Sequence, residues 1–236
     1  MSVAIMQPYF FPHLDHFRLM AAADRWIVFD TVVYRRKTWM NRNRTINRDT
    51  GWGYISVPVN GAGRDEIVSN ITIADHLRWR DTLLGKLRVY ESEAPHYSNI
   101  LSLVELVLAP PHTHLTGLNV AGLKAIRDAI GITTPITQLS AMGLHLPSEI
   151  GPGEWALRIC EAIGANSYVN PAGGRDLFDN TQFAAAGVDL NFLEPSTVTY
   201  ATGTFEFEPG LSIIDTLMWL GREKTAALLI DPQPAK

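Results

Sequence analysis

Two short apolar runs, Val3-Ala4-Ile5-Met6 and Trp26-Ile27-Val28-Phe29, stand either side of a stretch from His16 to Ala23 that can turn as a helix. Runs of this length and composition are what a strand covered on both faces produces. A strand, a helix and a second strand in that order read as a βαβ unit, so the chain opens as a parallel sheet.

The remainder extends the pattern. Tyr54 to Val59 and Asn70 to Ile73 read as strands around a Gly61-Ala62-Gly63 turn, giving a hairpin-like part. Helical stretches follow at His76 to Glu91, Tyr97 to Leu108 and Leu115 to Ile130, the last stopped by Gly131 in the position after the helix where a left-handed conformation is cheap. Alternation then returns: a helix over Pro152 to Ile163 with Gly164 behind it, a strand at Ser167 to Val169, a helix at Thr181 to Ala186 and a strand at Val188 to Leu193. A helix over Leu211 to Leu220, which Ser212 helps to begin, ends the core. The expectation is an α/β fold with a mostly parallel sheet flanked by helices and a helical middle segment. It is read as a single domain over residues 1–236, with residues 1–75, 76–135 and 136–236 as its natural subdivisions.

Composition narrows the function classes. A formal charge of −4 argues against a protein that coats nucleic acid or an acidic membrane through its overall field. No RRM, KH or zinc-ribbon signature is present. Charged residues interrupt every candidate for the roughly 18–20 apolar residues that a membrane span needs. The single cysteine, Cys160, excludes an internal disulfide, and the N-terminus lacks the pattern of a signal peptide. These features lead to the expectation of a cytoplasmic protein without membrane insertion, and a homo-oligomer is compatible with them.

Ligands of open parallel sheets bind outside the carboxyl ends of the strands. Gln7 to Asp15 follows the first strand and contains Tyr9, Phe10 and Phe11, then His13-Leu14-Asp15-His16. Successive side chains on an extended backbone leave on opposite sides. At least one aromatic is therefore expected in the core, with the others walling a cavity. His13 and His16, three apart at a helix start, are candidates for catalysis, a histidine being a base near neutral pH. Gln7, Tyr9 and Phe10 are candidates for binding.

A second cluster lies between Arg35 and Arg48, where six of the twenty Lys and Arg residues fall. Arg42 and Arg44 can grip phosphate or carboxylate with paired hydrogen bonds, Asn41 and Asn43 offer neutral partners, and Trp39 can stack on a sugar or base. A solvated charge run is the bland alternative. Asn170-Pro171-Ala172-Gly173-Gly174-Arg175 follows a predicted strand, so Asn170, Gly173 and Gly174 either approach an anion through backbone NH groups or form a tight turn. The three segments are expected to converge on one pocket for a small molecule with an anionic group.

The pieces AIMQPYFFP, WMNRNRTI, SEAPHY, ICEAIGANSYVNPAGG and FEFEPGLSIIDTLMWLG occur in the order expected of the WbqC-like family, which the chain resembles over nearly its whole length. The resemblance implies bacterial surface-polysaccharide assembly and transfer of amino-acid or acyl groups onto sugars. The chain departs from its relatives at His13-Leu14-Asp15-His16, where they commonly read Tyr-Ile-Gly-Tyr, at Asp30-Thr31, where many have two aspartates, and at Thr38, where a glycine usually precedes the Trp. The same quartet, between a strand and a second strand ending in Asp30, resembles the opening of HIGH-type nucleotidyl and adenylyl transferases, in which two histidines meet ATP phosphates. Asp15 replaces their glycine, and no second phosphate motif of the Lys-Met-Ser-Lys-Ser kind follows.

Other candidates read more simply. Cys160 fits a buried, inert thiol. His112 and His114 fit a loop, with no carboxylate or cysteine completing a metal site. Asp215 either faces the pocket or caps a segment, and no cofactor is assigned. Three functions follow: a transferase for an amino-acid, acyl or sugar-related group in surface-polysaccharide or specialised-metabolite biosynthesis; a HIGH-like ATP-dependent adenylyl or nucleotidyl transferase; and a noncatalytic ligand-binding or scaffold protein.

Overall fold

The computed structural model describes residues 1–230 apart from 62, 76–77 and 148–149. The two apolar runs form β1 (Ser2–Met6) and β2 (Arg25–Val28), joined by α1 (Leu14–Ala21). They pair in parallel, with Val3 opposite Arg25 and Ile5 opposite Ile27. The chain then makes an antiparallel hairpin of β3 (Arg42–Asn47) and β4 (Gly51–Ser56) and three helices, α2 (Trp79–Leu87), α3 (Tyr97–Leu108) and α4 (Leu115–Ala129). β5 (Ile136–Gln138), α5 (Trp155–Ile163), β6 (Ser167–Pro171), α6 (Asn180–Ala185), β7 (Asp189–Leu193) and α7 (Ile213–Ala227) follow.

The five parallel strands lie in the order β5-β2-β1-β6-β7. Because side chains alternate along a strand, the apolar runs feed two cores at once. Ala4, Trp26, Val28 and Val169 pack on one face with α1, α3, α4 and α7, whereas Val3, Ile5, Ile27 and Tyr168 pack on the other with α5 and α6. From β1 the chain builds outward in one direction to β2 and β5, then returns to build β6 and β7 on the other side. The loops above β1 and β6 therefore diverge, and they open the crevice characteristic of such a switch in direction.

The α/β class and the helical middle agree with the sequence reading, but two elements differ. The arginine-rich segment is a strand: Asn43 and Thr45 are buried while Arg42 and Arg44 stay partly exposed, so its period-2 pattern is written in polar residues. Its hairpin partner is β4. Asn70 to Ile73 makes only isolated bridges, Val59 with Ile73 and Thr72 with His114. The Asn47 side chain turns the hairpin by accepting from the NH groups of Asp49 and Thr50 at 3.0 and 3.2 Å. The three-residue β5 has too little sequence to carry a periodic signal.

Helix ends are closer to expectation. Ser212 caps α7 by accepting from the Ile214 NH at 3.2 Å. At Gly221 the helical path breaks, with φ of 73°, and a Cβ there would lie 2.6 Å from the His96 ring. Only glycine satisfies both the dihedral and the contact. The start of the helix expected from His76 lies outside the described residues, as does Ala62 of the expected Gly-Ala-Gly turn.

Candidate functional site

The loop between β1 and α1 is held by polar side chains from three other elements. Asn43 of β3 donates through Nδ2 to the carbonyls of Phe10 and Phe11 at 3.0 and 2.8 Å. Asn119 of α4 donates to those of Pro8 and Met40 at 2.6 and 2.8 Å, and Ser212 Oγ donates to Phe11 O at 2.7 Å. Buried carbonyls left unpaired cost about 1–3 kcal/mol each, so these side chains specify the path of the loop. Phe11 adopts φ of 40°, an uncommon value for a residue with a Cβ, and the surrounding bonds hold it there.

Phe10 and Phe11 meet edge to face at 4.8 Å and are 1% and 2% exposed, which places them in the core. Tyr9 alone of the three aromatics lines cavities. One cavity, of about 280 Å³, is walled by Tyr9, Pro12, His13, Trp39, Asn43, Arg44 and Gly210. Another, of about 400 Å³, lies at the carboxyl ends of β1 and β6, with Met6, Gln7, Tyr9, Phe29, Trp155, Tyr168, Asn170 and Phe178 in its wall. Tyr9 belongs to both.

The smaller cavity carries the charge. Arg44 Nη2 donates to the carbonyls of Pro209 and Gly210 at 3.3 and 3.1 Å, and its guanidinium lies 5.7 Å from the Trp39 ring and 5.1 Å from the Trp52 ring. Carbonyl dipoles orient a cation without neutralising it, and no carboxylate pairs with Arg44 among the described residues. His13 is the N-cap residue of α1 and makes no capping bond with its side chain. Burial lowers its pKa, Asp15 opposes this and Arg44 adds to it. His13 keeps an exposed edge, and the atoms packed around the rest of its ring favour the neutral imidazole, which can accept a proton beside a cation that has no carboxylate partner among the described residues.

His16 stands apart from that chemistry. It is 3% exposed, packs against Trp26 at 4.7 Å and Tyr9 at 5.4 Å, and its Nε2 has no hydrogen-bond partner. Burial, then His13, hold its pKa well below the usual imidazole value. The helix turn that places His13 at the cavity carries His16 inward, so the pair does not act side by side.

The expected convergence of three segments resolves into a division. Gln7 and Asn170 line the larger cavity; Trp39, Asn43 and Arg44 line the smaller one; Phe10 lines neither, since it packs inward. Arg42 stacks over Tyr54 at 3.9 Å and lines neither cavity. Asn41 belongs to a separate cleft with Ser56, Trp79 and Lys86. Gly173 and Gly174 lie in a 3-10 turn over Ala172–Leu177, and neither has positive φ. Glycine is needed at 174 for a different reason: a Cβ would come within 2.4 Å of Asn170 Nδ2. Asn170 Oδ1 accepts from the Tyr168 hydroxyl at 2.8 Å, so this glycine preserves the floor of the larger cavity.

Two participants, Trp155 and Gly210, carried no sequence signal. Trp155 begins α5 and meets Phe29 at 5.4 Å, and Gly210 arrives from a distant loop. Asp215 is buried inside α7, where Tyr90 and Tyr200 donate to its two oxygens at 2.7 and 2.6 Å. Burial raises its pKa to about 6 despite those bonds. Tyr200 and Thr216 connect this network to a small recess of about 80 Å³ that includes His13 and Asp15. Cys160 is a buried thiol pushed up to about 12 by burial, then by Glu161. Among the described residues no three His, Cys, Asp or Glu side chains are grouped to hold a metal, and no helix is long and apolar enough to cross a membrane.

A family model described as the WbqC-like protein family matches residues 7–227. An uncharacterised protein of Mycobacterium tuberculosis is 30% identical over 224 residues, which cover 94% of this chain and 95% of that protein. No solved structure matches the chain.

Proposed function

With a family match from residue 7 to residue 227, this chain belongs to the WbqC-like protein family, and from that premise we propose that it is a small-molecule transferase for an activated sugar, amino-acid or acyl donor bearing an anionic group. The observation that carries the reading is that Arg44, a guanidinium with no carboxylate partner among the described residues, and His13, an imidazole whose pKa is lowered, line one cavity of about 280 Å³. Arg44 holds phosphate or carboxylate on the donor. His13 accepts the proton of an acceptor hydroxyl or amine as that atom attacks the donor, and the leaving group departs with its charge on Arg44. The setting of surface-polysaccharide or specialised-metabolite assembly comes from the family resemblance.

A second reading, ATP-dependent adenylyl or nucleotidyl transfer, is supported by the sheet order, in which β1 is the central strand and leads through the loop ending at His13 into α1. Release of pyrophosphate from ATP separates it from the first. The direct test incubates the protein with phosphate-activated sugars, acyl phosphates and amino acids plus sugar acceptors, and follows product masses. Product that disappears in His13→Ala supports a transferase. Ligand binding without turnover of any donor supports a noncatalytic binding protein instead.

A further inference from the structure

The larger cavity has a composition that the transfer reading does not use. Among the described residues no Arg, Lys, Asp or Glu stands in its wall, which is built from Ile5, Met6, Val32, Pro152, Ala156 and Leu177, five aromatic rings and the amides of Gln7 and Asn170. At about 400 Å³ it falls in the range of small-molecule sites, and it occupies the crevice where the β1 and β6 connections diverge. Among the described residues an ionised group has no partner of opposite charge inside it. Tyr9 also shares a wall with a cation, Arg44, in the smaller cavity.

We infer that the cavity over β1 and β6 binds the planar heterocycle of a nucleotide-activated donor, whose phosphates reach past Tyr9 to Arg44 and His13. The inference rests on the anion site of the proposed function and adds the class of donor. Phe29 and Trp155 meet at 5.4 Å with their planes 53° apart, and Tyr168 and Phe178 at 5.5 Å and 69°, so rings at two corners of the cavity can stack on or abut a flat ligand. The amides decide between a heterocycle and an acyl chain of similar volume. Gln7 makes no side-chain hydrogen bond among the described residues, and Asn170 is held in place by Tyr168, its own bond to Pro171 O and the absence of a Cβ at Gly174. A heteroaromatic edge offers donors and acceptors to the Gln7 amide and an acceptor to the second Nδ2 hydrogen of Asn170, whereas an acyl chain leaves Gln7 unpaired.

Equilibrium binding of ADP, UDP, inorganic pyrophosphate and octyl phosphate to the wild-type protein, Trp155→Ala, Leu177→Trp and Arg44→Ala tests this. Leu177 is 60% exposed at the cavity, so its replacement narrows the mouth without entering the core. At least one of the two nucleotides is expected to bind tenfold or more tightly than pyrophosphate, with that advantage lost in Trp155→Ala and in Leu177→Trp. Equal affinity of nucleotides and pyrophosphate, or a gain for octyl phosphate alone, overturns the inference while leaving the anion site standing. Nucleotide binding that depends on Trp155 but is unchanged by Arg44→Ala supports the heterocycle site and overturns the anion site.

Discussion

Asn43 Nδ2 lies 2.8 Å from the carbonyl oxygen of Phe11, and this bond ties the arginine-bearing strand to the loop that begins the candidate site. The same nitrogen reaches Phe10 O at 3.0 Å, so one buried amide fixes two successive peptide groups around a residue with φ of 40°. Asn43→Ala leaves Phe10 O without this donor and removes one of two donors to Phe11 O. The expected loss is about 2–3 kcal/mol in urea unfolding. A loss below about 0.5 kcal/mol, ordinary for surface positions, contradicts that role.

Gly173 and Gly174 are neighbours with opposite expectations. A Cβ at 173 meets nothing within 4 Å, whereas one at 174 meets Asn170 Nδ2 at 2.4 Å. Gly173→Ala should change stability by no more than about 0.5 kcal/mol, and Gly174→Ala should cost about 1–3 kcal/mol because a buried side chain must move. Thermal unfolding of the two variants compares them directly. Equal effects would remove the link between Gly174 and the cavity floor.

The sequence reading recovered most of this fold because its strongest signals are local. The runs at Val3 and Trp26 announce strands through their own composition, and Gly131 and Ser212 act within one turn of their helices. It failed where the signal is tertiary. Arg42 to Asn47 looks like a charge run until its neighbours show that Asn43 and Thr45 face inward, Asn43 to bind the backbone carbonyls of Phe10 and Phe11. The quartet at His13 lies at the start of a helix in both readings, but its sequence does not show which histidine turns outward, since one turn of helix separates a cavity wall from the core. Trp155 and Gly210 reach the site only through the fold.

His16 provides a pH test of that separation. Its folded pKa is depressed by burial, so the native state binds fewer protons than the unfolded chain below about pH 6.5. The stability it contributes is complete above that pH and declines as pH falls. His16→Phe should therefore gain stability relative to the wild type as pH drops from 7 to 5, while keeping its affinity for pyrophosphate. Denaturant midpoints across that range measure the first effect and calorimetric titration the second. Lost pyrophosphate binding in a folded His16→Phe protein would return His16 to the site.

Asp215 has the opposite sign. Burial raises its folded pKa from 3.8 to about 6, so the native state holds the proton longer than the unfolded chain and stability is lost as pH rises through that window. A difference of about two pH units corresponds to something on the order of 3 kcal/mol. Asp215→Asn should become more stable relative to the wild type between pH 4 and 7, though one tyrosine loses an acceptor oxygen. Parallel stability profiles for the two proteins would show that Asp215 is already ionised across the range.

The anion site itself is read most directly by NMR titration of the His13 imidazole, with and without inorganic pyrophosphate, in the wild type and in Arg44→Ala. His13 titrates below the ordinary histidine value in the free protein, and an anion held on Arg44 should move its pKa upward, with pyrophosphate binding about tenfold or more weaker in Arg44→Ala. An unchanged His13 titration at saturating pyrophosphate, with equal affinity in both proteins, would contradict an anion site formed by these two residues.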